Sequence, residues 1–273
     1  MKDSSFGYTI TIPLACKSGH SFFSGNSQIV PKIYTILQRG VCYGKFTASL
    51  DFVKKGVLSV RRFRVPWDDL KYMLWLPVYL ASYLVLEHRP VSSYWSTQLP
   101  IDAAIPFCEY FVIFYCIWFF WLVGTGLYLL AHDNAAFRRY MTFLGWTFML
   151  SAVIWFLIPN GQDLRPAVMP RENIFTAVIG LLYGADTCTN VFPSVHVVGA
   201  IGAALALCDC AGLRQHKAVR FSSVVLAILI CSSTVFIKQH AFIDMVAGLG
   251  LSLLVAFPVY YRSSALHFFK KPA

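Results

Sequence analysis

Y-M-T-F-L-G-W-T-F-M-L-S-A-V-I-W-F-L-I-P-N-G-Q, residues 140–162, holds no charged side chain from Tyr140 to Gln162. The hydrocarbon core of a bilayer takes about 20 apolar residues of α-helix to cross, so this stretch by itself predicts a membrane span. No regular alternation of apolar and polar residues accompanies it. Inside lipid only helices and closed barrels satisfy every backbone N–H and C=O. A helical membrane fold follows.

Working outward, five more stretches have the length and apolarity of spans, near 70–87, 108–131, 194–211, 219–237 and 241–261. The first is the weakest, uncharged only over 72–86 and interrupted by Pro77. The expectation is an all-α, polytopic membrane protein, a six-transmembrane-helix bundle over residues 67–262 with its catalytic loops on the non-cytoplasmic face. Composition agrees. Of 273 residues, 57% are hydrophobic and 13% charged, against about 25% charged in a soluble domain.

Residues 1–66 read as a basic cytoplasmic segment, with an interfacial helix near 46–64, and residues 263–273 as a cytoplasmic tail. The first 30 residues lack the apolar core of a cleavable signal peptide, and Ser18-Gly19-His20 reads as loop. A formal net charge of +10 raises the possibility of a nucleic-acid partner, but no basic stripe interleaves with aromatics as such binding requires. The charge instead follows the positive-inside rule. On one side stand Lys54, Lys55, Arg61, Arg62, Arg64, Lys71, Arg138, Arg139, Arg214, Lys217, Arg220, Arg262, Lys270 and Lys271; on the other only Arg89, Arg165, Arg171 and Lys238. Both termini are then cytoplasmic, and a plasma membrane is the expected location. The eight cysteines sit mostly in apolar runs without metal spacing and read as core thiols.

This topology sends chemistry-bearing residues to one face. The outer loop at about 160–193 opens N-G-Q-D-L-R-P, holds an amphipathic pattern at 173–183 and ends in N-V-F-P-S-V-H. The next outer loop is K-Q-H, residues 238–240. Arg165, Ser194, His196, Lys238, His240 and Asp244 therefore share a membrane face. A buried carboxylate in a span is expensive and usually marks function. His240 and Asp244 are four apart and share a helix face; a carboxylate on one ring nitrogen leaves the other basic and nucleophilic. His196 supplies a general acid. Arg165 offers a planar fork for phosphate oxygens and Lys238 a second cation. The helix starts near 194 and 241 offer backbone N–H groups to an anion.

Ile158-x6-Arg165-Pro166, then Pro193-Ser194-Val195-His196, then Ser233-Thr234-x5-His240-x3-Asp244 resemble the three motifs of the type 2 phosphatidic acid phosphatase superfamily. The resemblance covers residues 67–262. It departs where Ile158 and Thr234 stand for a family lysine and arginine and Val195 for a glycine. The F-P-S-x-H and K-Q-H forms are similar to the inositolphosphotransferase branch. The resemblance implies His240 as nucleophile, Asp244 as its orienting partner, His196 as acid then base, and Arg165 and Ser194 on the phosphate. It implies a lipid phosphate or lipid diphosphate substrate handled in the bilayer through a phosphohistidine, with no metal or cofactor. Two alternatives stand beside hydrolysis: transfer of a phosphoryl-alcohol group to a polar alcohol such as inositol, and a non-enzymatic anion-binding or transport protein. A metal site built from His196, His240 and Asp244 is disfavoured by the cations beside it.

Among the remaining marked residues, Asp102 and Glu109 read as the boundary of the second span and His88-Arg89-Pro90 as an interface anchor. Gly199, Gly202, Ala203, Ala204, Gly248 and Gly250 read as small residues that let helices approach.

Overall fold

The computed structural model describes residues 67–261. The expected N-terminal segment 1–66, with its interfacial helix and Ser18-Gly19-His20 loop, and the tail 263–273 lie outside the described residues. The fold is mostly helical. Its main helices are α1 (Trp75–Glu87), α2 (Val112–His132), α3 (Asn134–Leu157), α4 (Ile174–Ala185), α5 (Val195–Asp209), α6 (Lys217–Phe236) and α7 (Phe242–Ala256). Four continuous helical stretches, Glu109–His132, Asn134–Leu157, Lys217–Phe236 and Phe242–Tyr261, are long and apolar enough to cross a membrane. Large apolar side chains face outward on all four, among them Phe120, Trp146, Phe221 and Leu254. A water-soluble bundle would not expose so much apolar surface; the protein is an all-α membrane protein.

Two of the expected spans are short. α1 has 13 residues and α5 has 15, about 20 and 22 Å of helix. α1 begins late because Pro77 has no N–H for the carbonyl one turn earlier and its ring crowds that carbonyl. The chain therefore runs through a short helix at Trp67–Leu70 and a 3-10 turn at Lys71–Met73 before α1 starts. α3 starts six residues before the charge-free run, because Asp133 caps it by accepting from the Ala136 N–H. Arg138 and Arg139 thus lie on the helix, where they pair with Asp69 and Asp209 at 2.5 and 2.6 Å.

α5 packs against α2, α3, α6 and α7 and forms the centre of the bundle. Its small residues make this possible. Ideal Cβ atoms on Gly199 and Gly202 would meet Trp118 and Phe143 at 2.7 and 2.6 Å. Phe137, Tyr140, Phe143 and Trp155 of α3 are buried in the main core together with Val198, Ala203 and Ala206 of α5. The small-residue reading fails at Gly250, which has open space around it. One feature has no counterpart in the apolar pattern, a parallel pair of two-residue strands, β1 (Trp95–Ser96) and β2 (Asn160–Gly161). Strands this short carry no period to read.

Candidate active site

The site lies at the end of the bundle where α3 and α6 finish and α5 and α7 begin. The chain leaving α3 forms β2, and the side chains of Asn160 and of Gln162 just beyond it each bind a different neighbouring segment. Asn160 Oδ1 accepts from the Val191 and Phe192 N–H groups at 2.9 and 2.8 Å, and its Nδ2 donates to the Ile158 carbonyl. Gln162 Nε2 donates to the carbonyls of Lys238 and Gln239 at 3.1 and 3.2 Å. One strand end therefore holds both the segment leading into Ser194 and His196 and the K-Q-H turn. Gly161 between them has the Cys188 carbonyl and the Tyr94 ring at 2.9 and 3.0 Å from where a Cβ would lie.

The two histidines come together as expected, with ring centroids 5.8 Å apart and edge-to-face. A phosphorus approached by one nitrogen and flanked by the other needs about 3–3.5 Å to each, which this separation permits. His196 lies against Tyr115 and Trp118, with both centroids 4.2 Å away, and these two rings fix its plane. His240 Nδ1 donates to the Val191 carbonyl at 3.0 Å. A carbonyl can only accept, so this contact requires the proton on Nδ1.

That geometry corrects the expected role of Asp244. Its Oδ2 is 3.7 Å from His240 Nδ1, beyond hydrogen-bond reach. It accepts instead from the Ala241 N–H at 2.8 Å and from Thr97 Oγ1 at 3.4 Å. Asp244 is a negative charge beside the imidazole and a cap on α7, while a backbone carbonyl orients the ring. Asp102, read from the sequence as a span boundary, is buried, and its carboxylate accepts from the Phe242 N–H at 2.7 Å and from the Leu99 N–H at 2.8 Å. At the start of α7 the Ala241 and Phe242 N–H groups are thus taken by the protein's own carboxylates, whereas Ser194 at the start of α5 makes no side-chain cap bond.

The two expected phosphate cations are engaged elsewhere. Arg165 uses its four terminal N–H donors on the carbonyls of Tyr183, Asp186 and Thr187 and on Gln239 Oε1, at 2.6–3.1 Å. It caps the C-terminal end of α4, where carbonyls lack partners, and holds Gln239 next to His240; only Nε remains. Lys238 Nζ donates to the carbonyls of Asp102 and Ile105 at 2.8 and 2.6 Å, tying the K-Q-H turn to the loop before α2. Burial pushes its ammonium pKa down, partly offset by the Asp102 carboxylate. Its φ of 55° is in the left-handed region that side chains other than Gly, Asn and Asp seldom adopt.

Buried polar groups normally have partners. Among the described residues, Ser194 Oγ, His196 Nδ1, Arg165 Nε and Asp244 Oδ1 of this site are buried side-chain atoms without one, as are atoms elsewhere in the bundle such as the Trp75, Trp121 and Trp155 indole nitrogens and Thr125 Oγ1; the Gln239 amide is hydrogen-bonded to the Tyr115 hydroxyl. Of these site atoms Arg165 Nε is an obligate donor of hydrogen bonds and Ser194 Oγ a ready one. Also among the described residues, no three His, Cys, Asp or Glu side chains converge to hold a metal ion.

Asn160, Gln162, Tyr115, Trp118 and the Val191 carbonyl are given no role by the motifs, and Gln239 enters only as the middle of K-Q-H. Only the polar N-G-Q closing an otherwise apolar run gives a signal for the first two. No protein-family model, curated protein or solved structure matches the chain.

Proposed function

We propose that the protein is an integral membrane lipid phosphatase or phosphotransferase that cleaves a phosphate ester or diphosphate of a lipid and carries the phosphoryl group on His240. The observation behind this reading is the set of partnerless buried polar atoms around two adjacent imidazoles, in particular Ser194 Oγ at an uncapped helix start. Donors held rigidly around a point where negative charge develops are the strongest single device for stabilising a transition state.

In the proposed cycle His240 Nε2 attacks phosphorus, forming an N–P bond as the P–O bond to the lipid breaks. His196, which takes up a proton as the phosphate anion enters beside it, gives that proton to the departing oxygen. Neutral His196 then takes a proton from water, whose oxygen attacks phosphorus and breaks the N–P bond, releasing phosphate and restoring His240. A polar alcohol in place of water gives transfer. Asp244 supplies negative charge near the imidazolium of the intermediate. Ser194 Oγ and the first backbone N–H groups of α5 hold the phosphoryl oxygens. Arg165 and Lys238 act through the backbone they fix.

The same reading takes α1 and α5 as the remaining two of six spans, with the site on the non-cytoplasmic face and both termini inside. The asymmetry of Lys and Arg supports that orientation. α5 is shorter than a bilayer is thick, but it is enclosed by four other helices, so its length need not match the hydrocarbon thickness.

The full chain, purified in detergent with lipid, is assayed against phosphatidate, an isoprenoid diphosphate and a sphingolipid phosphate, with chelator present and with or without labelled inositol. Phosphate release, or labelled inositol phosphate when inositol is added, is expected, and His240→Ala should abolish both. Full turnover by His240→Ala overturns the reading; phosphate binding without turnover on any lipid favours an anion-binding protein.

A further inference from the structure

We infer that Asn160, to which the motifs noted above give no role, is a positioning residue that sets the tautomer of His240 through the Val191–Phe192 peptide. Three successive N–H groups of the approaching segment are held by this one residue: Asn190 N–H on its carbonyl at 2.8 Å, and Val191 and Phe192 N–H on its Oδ1. The peptide joining Val191 to Phe192 is planar and trans, the described cis bond being the next one, Phe192–Pro193. In a trans peptide the N–H and C=O point in opposite directions. Fixing the Phe192 N–H on Asn160 therefore aims the Val191 carbonyl the other way, at His240 Nδ1, 3.0 Å distant. Asn160 itself is 1% exposed, and its Nδ2 is held by the Ile158 carbonyl at 2.8 Å and the Phe192 carbonyl at 3.4 Å. The amide cannot turn without losing both.

The carboxylate four residues on does not perform this task, since it lies beyond hydrogen-bond distance. Val191 cannot be altered by substitution in the group that matters, because that group is backbone. Asn160 is the side chain through which the contact can be tested. Its catalytic consequence rests on the function proposed above; the tautomer does not.

The test uses the full chain labelled with 15N-histidine in detergent micelles, with the His240 signals identified by their loss in His240→Gln. At a pH where the imidazole is neutral, the wild-type protein is expected to show Nδ1 protonated and Nε2 bare. Asn160→Ala, and Asn160→Asp as the variant that keeps an acceptor oxygen but cannot donate to Ile158, should shift the ring toward the Nε2-protonated form. If the protein turns over lipid phosphate, the same variants should lower kcat by about tenfold or more with KM little changed, whereas a purely structural defect would lower the folded fraction and leave the tautomer of the folded protein as it was. A wild-type His240 protonated on Nε2 overturns the inference without need of any variant. An unchanged tautomer in both folded variants does the same. A tautomer shift in a protein that turns over no lipid phosphate upholds the inference and counts against the enzyme reading alone.

Discussion

At position 248 a side chain has no room: a Cβ there would come within 2.9 Å of the Ser194 carbonyl and of Val197. The glycine lets α7 lie against the start of α5, where the Ser194 N–H meets the Asp244 carbonyl at 3.1 Å. Gly248→Val should destabilise the protein by about 1–3 kcal/mol in thermal unfolding in detergent and disturb the site. Gly250→Ala, two residues away with open space, should be neutral or stabilise by about 0.5–1 kcal/mol, since alanine is the better helix former. Equal effects at the two positions would contradict this packing. The sequence reading put both glycines in one class; spacing along a helix says which residues are small, and only the neighbouring helix says which need to be. The same limit applies to Arg165 and Lys238. Their charge and their place in the loops are legible, but which carbonyls lie within reach depends on how α4 and the loop before α2 fold back. Asp244→Asn should lower turnover by roughly tenfold or more while costing only about 1 kcal/mol or less of stability, because one amide oxygen can still accept from Ala241.

At the scale of elements, the caps decide where helices begin, and some were legible. The amphipathic stretch at 173–183 is α4, opened by a capping box in which Asn173 Oδ1 accepts from the Phe175 and Thr176 N–H groups and Thr176 Oγ1 accepts from the Asn173 N–H. Its other anchors are Arg171 on the fully buried Glu109, two bonds of 2.6 Å, and Arg165 at its far end. Asn173→Ala should cost about 0.5–2 kcal/mol, read as faster amide exchange over 174–178, while amides in α3 stay protected. At the opposite end of the bundle, the turn before α1 is held by Asp69, which accepts from Asn134 and Arg138. Burial alone would raise this carboxyl's pKa, but those hydrogen bonds more than offset it and the value lies below 3.8. The folded pKa is thus lower than the unfolded one, so the contribution is complete above the unfolded value and disappears as pH falls through the folded one. Thermal unfolding measured from pH 6 down to pH 3 should show an acid-dependent loss in the wild-type protein that is reduced in Asp69→Asn; identical pH dependence in the two would contradict the pairing.

For the whole molecule, the membrane character was plain in one uncharged stretch, because the bilayer imposes a length and a polarity that no other environment demands together. The convergence of His196 and His240 was legible too, since alternating spans return loops to one face. What spacing could not supply is the finer geometry: which acceptor orients an imidazole, and which donors are left over once the loops have satisfied their own carbonyls. The proposed anion site rests on those leftover donors. The most direct test is trapping the intermediate. A lipid phosphate carrying 32P is mixed with the purified protein and quenched in alkali, which preserves phosphohistidine and destroys acyl phosphates. The account predicts protein-bound, acid-labile label in the wild type, accumulating further in His196→Ala when the leaving group needs no proton, and none in His240→Gln. Label that persists in His240→Gln, or turnover by the wild type with no label at any time, would contradict it.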